Sequence, residues 1–386
     1  MNILHTSDWH IGKKLMNRDR LSEQREVLDE IIEIVEQNAV ELVLIAGDVY
    51  DTFMPQAEAE NLFFYAVRRL AGENRAVLII SGNHDDGVRL SACSPLGEEL
   101  GVYVVSSPKD ILSTSSTRPV RPVQSGEGYV VFENAKGERV YINTLPYPNE
   151  ARLKEEKNDE SYPDKIKRWI EVGRSAYKGG MPEILLSHLF VTGGIASDGE
   201  RDIDLGGARA VPLNALPDCD YIALGHLHKK QHFKQKNVWY SGSILQYSFD
   251  ESGTQKRVVL LQTDAQKLVL ATEIPLTKGK RLLRLQADSP EEGMALLQQN
   301  PDTHVELTLR LSAPLTSENT RALLLHKNLK SLIPAVQTDG GQSLSFSRRE
   351  LGVEELFEEY YRSVYATAPD NELKTLFLQL LGEVNA

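Results

Sequence analysis

Ala76-Val77-Leu78-Ile79-Ile80-Ser81-Gly82-Asn83-His84-Asp85 is the stretch whose reading sets the fold. Five apolar residues in a row, mostly branched, are too few for a helix and read as a strand buried on both faces. A turn after the strand explains Gly82 and Asn83, but not the adjacent His84 and Asp85. The same pattern occurs four more times. Ile3-Leu4 leads to Asp8 and His10, and Leu42–Ala46 leads to Gly47, Asp48 and Asp51. Ile184-Leu185-Leu186 leads to His188, and Tyr221–Leu224 leads to Gly225, His226 and His228.

Between the first three runs the periodicity is helical. Val27, Leu28, Ile31, Ile32 and Val35 make one stripe; Leu62, Phe63, Val67 and Leu70 make another. Strand–helix alternation predicts an α/β core with partly parallel sheets. Ligands of such sheets sit beyond the carboxyl ends of the strands. All five polar clusters fall there, which predicts one composite site. Singly, each has a plain reading: Asp8-Trp9-His10 as chance, Gly47-Asp48 as a turn or cap, His188 as a satisfied core histidine. Gly225-His226-Leu227-His228 puts two imidazoles on one side of an extended segment. Together, Asp8, His10, Asp48, Asn83, His188, His226 and His228 exceed what one first-row ion accepts, but suit two ions bridged by a carboxylate. Two ions ~3.5–4 Å apart clamp an in-line displacement at phosphorus. Imidazole, carboxylate and carbonyl ligands without thiolate suit Mn²⁺, Fe or Zn²⁺.

The chain has 386 residues, room for two or three domains. With 41% hydrophobic and 25% charged residues it is neither disordered, collagen-like nor a disulfide scaffold. No apolar run reaches the ~18 residues of a membrane span. Met1 to Gly12 lacks the apolar core and cleavage site of a signal peptide. Two distant cysteines, Cys93 and Cys219, read as buried thiols of a reducing compartment, so a cytoplasmic location is expected. Net charge is −12, from 43 Lys and Arg against 55 Asp and Glu, so a global basic footprint for nucleic acid is missing. DNA stays open as a substrate, because metal ions and a local basic strip offset acidic surface elsewhere. Lys13, Lys14, Arg18 and Arg20 form either a solvated loop or cations that meet backbone phosphates. Trp9 and Tyr50 are expected to pack the site.

Gly101 to Asn143 is turn-rich, with strand-like stretches at Tyr129–Phe132 and Val140–Asn143. Ala151 to Lys167 reads as a charged surface loop or exposed helix. The character changes near Lys278. Arg281–Leu285 reads as a strand, and Ser289-Pro290-Glu291-Glu292 as a capped helix start. Val305–Leu311 follows as a strand and Ala322–Leu332 as a helix, giving a small α+β unit. Val353, Leu356, Phe357, Tyr360, Tyr361 and Val364 then repeat at helical spacing. So do Leu373, Leu376, Phe377, Leu380, Leu381 and Val384, after a break at Ala368-Pro369-Asp370. Two amphipathic helices are expected there.

Asp8-Trp9-His10, Gly47-Asp48-Val49-Tyr50-Asp51, Gly82-Asn83-His84-Asp85, His188 and Gly225-His226-Leu227-His228 resemble the motif set of the calcineurin-like metallophosphoesterases. The opening Ile3 to Gly12, with Asp48 to Thr52, Asp220 to His226 and Tyr240-Ser241-Gly242-Ser243, resembles the SbcD-type exonuclease subunits within them. That resemblance covers essentially the whole chain. It implies a sandwich of two mixed β-sheets flanked by helices over 1–276, a capping domain over 277–346, and a helix–loop–helix over 347–386. It implies two Mn²⁺ ions, one on Asp8, His10, Asp48 and His228, the other on Asp48, Asn83, His188 and His226. It implies a phosphate-facing catalytic role for His84. Asp51 and Asp85 either orient the ligand histidines or cap turns. The implied partners are DNA and an SbcC-like SMC-type ATPase, docked by the C-terminal helices. The implied assembly is a homodimer through Glu58–Leu70 and Val88–Leu100, within a heterotetramer. The implied activity is 3′→5′ exonuclease on duplex ends and endonuclease on single strands and hairpins, in repair, recombination and replication near the nucleoid. The alternative is an esterase for small nucleotides or phosphoproteins, which needs no C-terminal helix pair. A non-cutting DNA scaffold fits less well, since every implied ligand and His84 is retained.

Overall fold

The computed structural model describes residues 1–149, 159–197, 200, 209–312 and 315–336, with 357, 358, 361, 369, 373 and 374. The five apolar runs form strands β1 (Asn2–Thr6), β2 (Leu42–Ala46), β3 (Ala76–Ile80), β8 (Glu183–His188) and β9 (Tyr221–Gly225). Helices α1 (Leu21–Gln37) and α2 (Ala57–Ala71) join the first three and bury the expected stripes. Both crossovers therefore link parallel neighbours, as helical connections must.

One sheet has the order β13-β12-β1-β2-β3-β4, with β4 at Val102–Val105, β12 at Arg257–Thr263 and β13 at Leu268–Pro275. Its β1 to β4 are parallel, and β12 and β13 close one side antiparallel. The second sheet has the order β10-β11-β9-β8-β7-β6-β5. Its members include β5 (Arg121–Gly126), β6 (Tyr129–Glu133), β7 (Arg139–Leu145), β10 (Gln231–Phe233) and β11 (Val238–Tyr240). Strands β7, β8, β9 and β11 are parallel there.

Alternation along each strand decides the layers. Leu42, Leu44 and Leu78 pack with Ile184, Leu186 and Ala223 in a core between the sheets. Val43, Ile45 and Val77 point the other way, under α1 and α2. Leu185, Ile222 and Leu224 meet α5 (Tyr162–Arg174) through Ile166, Trp169 and Ile170. The result is helix, sheet, sheet, helix, the two-sheet α/β sandwich expected.

Several local expectations are corrected. Of the charged stretch Ala151 to Lys167, residues 151–158 lie outside the described residues, and its end is no loop but the start of α5, which buries one face through Ile166 and Trp169. Val88–Leu100 is no single helix. Pro95 and Gly97 break it into α3 (Gly87–Ser91), α4 (Ser94–Gly97) and a 3-10 turn at Glu98–Leu100. Ala322–Leu332 is not helical throughout: α7 (Ser317–Leu324) ends early, and β16 (Leu329–Val336) follows. The Asn328 amide donates to the carbonyls of Leu297 and Asn300, which fixes an extended start to β16.

The chain divides into two compact units. One comprises Met1–Leu285, Leu296–Glu306 and His326–Ser331; the other comprises Gln286–Ala295, Leu307–Leu325 and Leu332–Ala386. Strands β14 (Arg281–Ala287), β15 (Thr303–Leu311) and β16 form a third sheet, and α6 spans Pro290–Gln299. The expected C-terminal helices lie almost wholly outside the described residues.

Candidate metal centre

All seven candidate ligands stand at carboxyl ends of strands in the first unit. Asp8 and His10 follow β1, Asp48 follows β2, Asn83 follows β3, His188 ends β8, and His226 and His228 follow β9. The two sheets bring these ends together because glycine stands where they meet. A Cβ on Gly225 would lie 1.9 Å from the Ala46 carbonyl, and one on Gly82 would lie 2.2 Å from the Asp48 amide. Asp8, His10, Asp48 and His226 have φ of 51°, 44°, 53° and 103°, a region L residues seldom adopt. Such strain persists only where surrounding contacts over-determine it, and it gathers at functional sites.

Hydrogen bonds to the backbone supply those contacts. The His226 amide donates to both oxygens of Asp8, at 2.9 and 3.2 Å. The His84 amide donates to Asp48 Oδ1 at 2.8 Å, and the His228 amide to Glu200 Oε1 at 2.6 Å. Asp85 accepts from the amides of Val49, Tyr50 and Gly82, so it ties the loop after β2 to the loop after β3. Asp51 Oδ1 lies 3.4 Å from His10 Nδ1 and accepts from Lys13 at 2.9 Å. The two acidic residues left open in the sequence thus divide: Asp85 holds turns, and Asp51 faces a candidate ligand histidine.

The side chains converge. His10 Nε2 and His228 Nε2 are 3.0 Å apart, with Asp8 beside them. Asn83 Oδ1 lies 2.8 Å from His188 Nε2 and 3.1 Å from His226 Nδ1. Asp48 Oδ2 stands between the groups, 3.6 Å from His10 Nε2 and 3.4 Å from His188 Nε2. His84 also comes close: its ring is edge-on to His10 at 4.8 Å. Nδ1 of His84 donates to the Asp51 carbonyl at 2.7 Å, which sets the ring's orientation and its Nδ1–H tautomer when neutral.

The donor set fits divalent cations. Two imidazole nitrogens facing at 3.0 Å cannot both present bare lone pairs, so a proton or a cation lies between them, and His226 Nε2 is buried without a hydrogen-bond partner among the described residues. Protons answer part of that demand in the free protein. Burial alone would raise the Asp48 carboxyl, but His188 holds it well below the usual carboxylate range. Against burial, Asp48 lifts His188 to about 9. Burial pushes Asp8 up to about 6 and His226 down to about 3. Carboxylates, imidazoles and one amide oxygen, without thiolate, match hard or borderline divalent metals.

A family model described as calcineurin-like phosphoesterase matches residues 1–230. The D subunit of the nuclease SbcCD from Bacillus subtilis (strain 168) is 33% identical over 401 residues, covering 100% of this chain and 98% of that protein. The chain belongs to the calcineurin-like phosphoesterase family, in the branch of the SbcCD nuclease D subunits. The corresponding D subunit of Staphylococcus epidermidis (strain ATCC 12228 / FDA PCI 1200) is 30% identical, over 80% of this chain and 79% of that one. A solved structure, TT1561 of Thermus thermophilus, aligns at a TM-score of 0.38 and 13% identity, covering 70% of this chain and 98% of that one.

Within this phosphoesterase the sequence motifs left out several contributors. Trp9 and Tyr50 do pack, both buried, with Trp9 Nε1 donating to Thr6 Oγ1 at 3.1 Å. Arg20 is no phosphate-facing cation: it is 1% exposed and donates to Glu23 and the Gln246 carbonyl. Glu200, Glu251 and Lys256 surround His228, yet none follows an apolar run. Ser7 was readable only through its neighbour; its hydroxyl donates to Asp8 Oδ2 at 2.5 Å.

Proposed function

We propose that this chain is the nuclease subunit of an SbcCD-type DNA end-processing complex, hydrolysing DNA phosphodiesters with two Mn²⁺ ions. The observation that carries the reading is the convergent seven-residue cluster, in a chain aligned end to end with a curated nuclease subunit. In this reading Asp8, His10, Asp48 and His228 hold one ion, and Asp48, Asn83, His188 and His226 the other. Bound there, the ions supply Lewis acidity and charge neutralisation for in-line displacement at phosphorus. The chain's own groups do the rest. Asp48, between the two clusters, has two oxygens to share. His84, its Nδ1–H spent on the Asp51 carbonyl, would in its doubly protonated form give the Nε2–H to a phosphate oxygen or to the departing oxygen. Strained backbone held by carboxylate–amide bonds keeps these groups fixed in advance, so little reorganisation is left for the reaction.

The finer parts of the reading are a 3′→5′ exonuclease on duplex ends, an endonuclease on single strands and hairpins, and service in DNA repair, recombination and replication. The division is a nuclease domain over 1–276, a capping domain over 277–346 and a docking helix–loop–helix over 347–386. An SbcC-like ATPase would supply ATP dependence, since no phosphate-binding loop stands in the sequence. The reading includes a homodimer inside a heterotetramer; an apolar hollow of about 640 Å³ between α2 and the α3–α4 segment offers a face to the second copy. Among the described residues no helix is long and apolar enough to cross a membrane.

The test is a nuclease assay with Mn²⁺ on hairpin, blunt and single-stranded DNA, with and without the ATPase. Cleavage of DNA, stimulated on duplex ends by the ATPase and ATP, is the expected result. Hydrolysis of small nucleotide esters or phosphoproteins with DNA left intact would replace this reading with the esterase one.

A further inference from the structure

Behind His228, on the side away from His10, lies a buried ion pair that no sequence motif marks. Lys256 is 8% exposed and Glu251 has no exposed surface. The two side chains are hydrogen-bonded to each other. Lys256 Nζ has two other bonds, both at 2.8 Å: one to Ser243 Oγ and one to the main-chain carbonyl of His228. Glu251 Oε1 accepts from the amides of Tyr247 and Ser248 and lies 3.8 Å from His228 Nδ1.

Burying two charges carries a large desolvation cost, and a well-packed apolar pair often serves stability as well or better. Stability is therefore a poor reason for this pair, and its bonds give a better one. The His228 amide is held by Glu200, and its carbonyl by Lys256 and by the Ser243 amide at 3.1 Å. Both flanks of the residue are pinned, Glu251 stands behind Nδ1, and Nε2 faces His10. Gly242, at φ +80°, lets the backbone pass beneath; a Cβ there would come 2.7 Å from the His228 carbonyl.

We propose that Lys256, locked by Glu251, is a positioning residue that fixes the backbone of His228 and thereby the placement of its imidazole as a metal ligand. Partners of this kind orient ligand histidines, and losing them weakens metal binding about 10–100-fold. The inference rests on the reading of His228 as a ligand and adds the group that places it.

The test compares wild type with the double variant Lys256→Met/Glu251→Leu, which removes both charges and leaves neither unpaired. Three quantities are measured: the melting temperature of the metal-free protein, Mn²⁺ bound at equilibrium against free Mn²⁺, and kcat and KM on single-stranded DNA. The expected result is a melting temperature within a few degrees of wild type, with one of two ions bound at least about tenfold more weakly. At limiting Mn²⁺ kcat falls while KM for DNA holds, and excess Mn²⁺ restores the rate. A pair that only knits the core would move the melting temperature and leave Mn²⁺ binding alone; that outcome overturns the proposal. If the double variant fails to fold, Lys256→Arg decides. It keeps the ion pair but replaces a point donor by a planar fork. Weakened Mn²⁺ binding at wild-type melting supports positioning, and unchanged binding overturns it. If wild type itself binds no Mn²⁺, it is the ligand reading that fails.

Discussion

His84 and His5 show what burial does to an imidazole with and without work beside it. His84 lies among the ligand groups, yet one nitrogen is committed to the Asp51 carbonyl. That commitment fixes the ring's orientation, and in the proposed reading a second proton on Nε2 is the one it donates. His84→Ala should lower DNA cleavage by about 10²–10⁴-fold, with both ions retained by metal analysis. Loss of an ion would turn His84 from a proton donor into a ligand. His5 does structural work. Its Nδ1 pairs with the Tyr221 hydroxyl at 2.9 Å, and burial pushes its pKa down to about 3. The folded protein therefore keeps His5 neutral while the unfolded chain protonates it below about 6.5. Stability is full above that pH and falls as the pH drops toward 3, by up to ~1.4 kcal/mol per pH unit. Urea midpoints of wild type between pH 7 and 4 should slope more steeply than those of His5→Gln. Parallel slopes would mean that other groups carry the acid lability.

At the scale of elements, the strand ends gather the candidate ligands, and apolar side chains on α2 and the α3–α4 segment are left exposed. Phe64 on α2, Val88 on α3 and Leu96 on α4 are 48%, 83% and 73% exposed, and Leu100 is 49% exposed. A second copy across a two-fold axis would cover such a face with itself. Leu96→Glu combined with Leu100→Glu should convert a dimer to monomer in light scattering at micromolar concentration, with cleavage of single-stranded DNA retained. A wild-type chain that is already monomeric there would remove the proposed dimer. The elements were legible wherever a contiguous apolar run ended in Gly, Asp or His, as at β2 and β3, because both faces of those strands are buried. Strand β5 was not, since Arg121, Gln124 and Ser125 sit at a sheet edge and hide any alternation. Strand β16 looked helical because Leu323, Leu324 and Leu325 run into Leu329 and Leu332, and the stop made by the Asn328 amide has no sequence signature. Lys256 and Glu251 stand in no motif, and nothing in a sequence tells a buried ion pair from a solvated one. The left-handed backbone at Asp8, His10 and Asp48 is equally silent, because it comes from the meeting of two sheets.

The whole molecule carries a net charge of −12 yet is read as an enzyme of a polyanion, so something besides global charge must bring DNA to the site. In the proposed reading metal ions would neutralise the scissile phosphate, and the long duplex would be left to the assembly with the ATPase. The last forty residues bear on this. Six apolar residues recur in each of two helical stripes, from Val353 to Val364 and from Leu373 to Val384. Burying such side chains is worth roughly 1.5–3 kcal/mol apiece. A two-helix hairpin covers only the faces its helices turn to each other, so a groove on another body is the expected home. Ending the chain at Arg349 should therefore leave a folded phosphoesterase with Mn²⁺-dependent cleavage of single-stranded DNA near wild-type rate. It should abolish co-purification with the ATPase and the ATP-stimulated cutting of duplex ends. Phe357→Glu with Leu376→Glu should reproduce both losses at full length, which separates the lost surface from the lost chain. A truncated protein that aggregates or melts well below wild type would assign the stripes to this chain's own core. One that still binds the ATPase at full strength would move the docking site elsewhere.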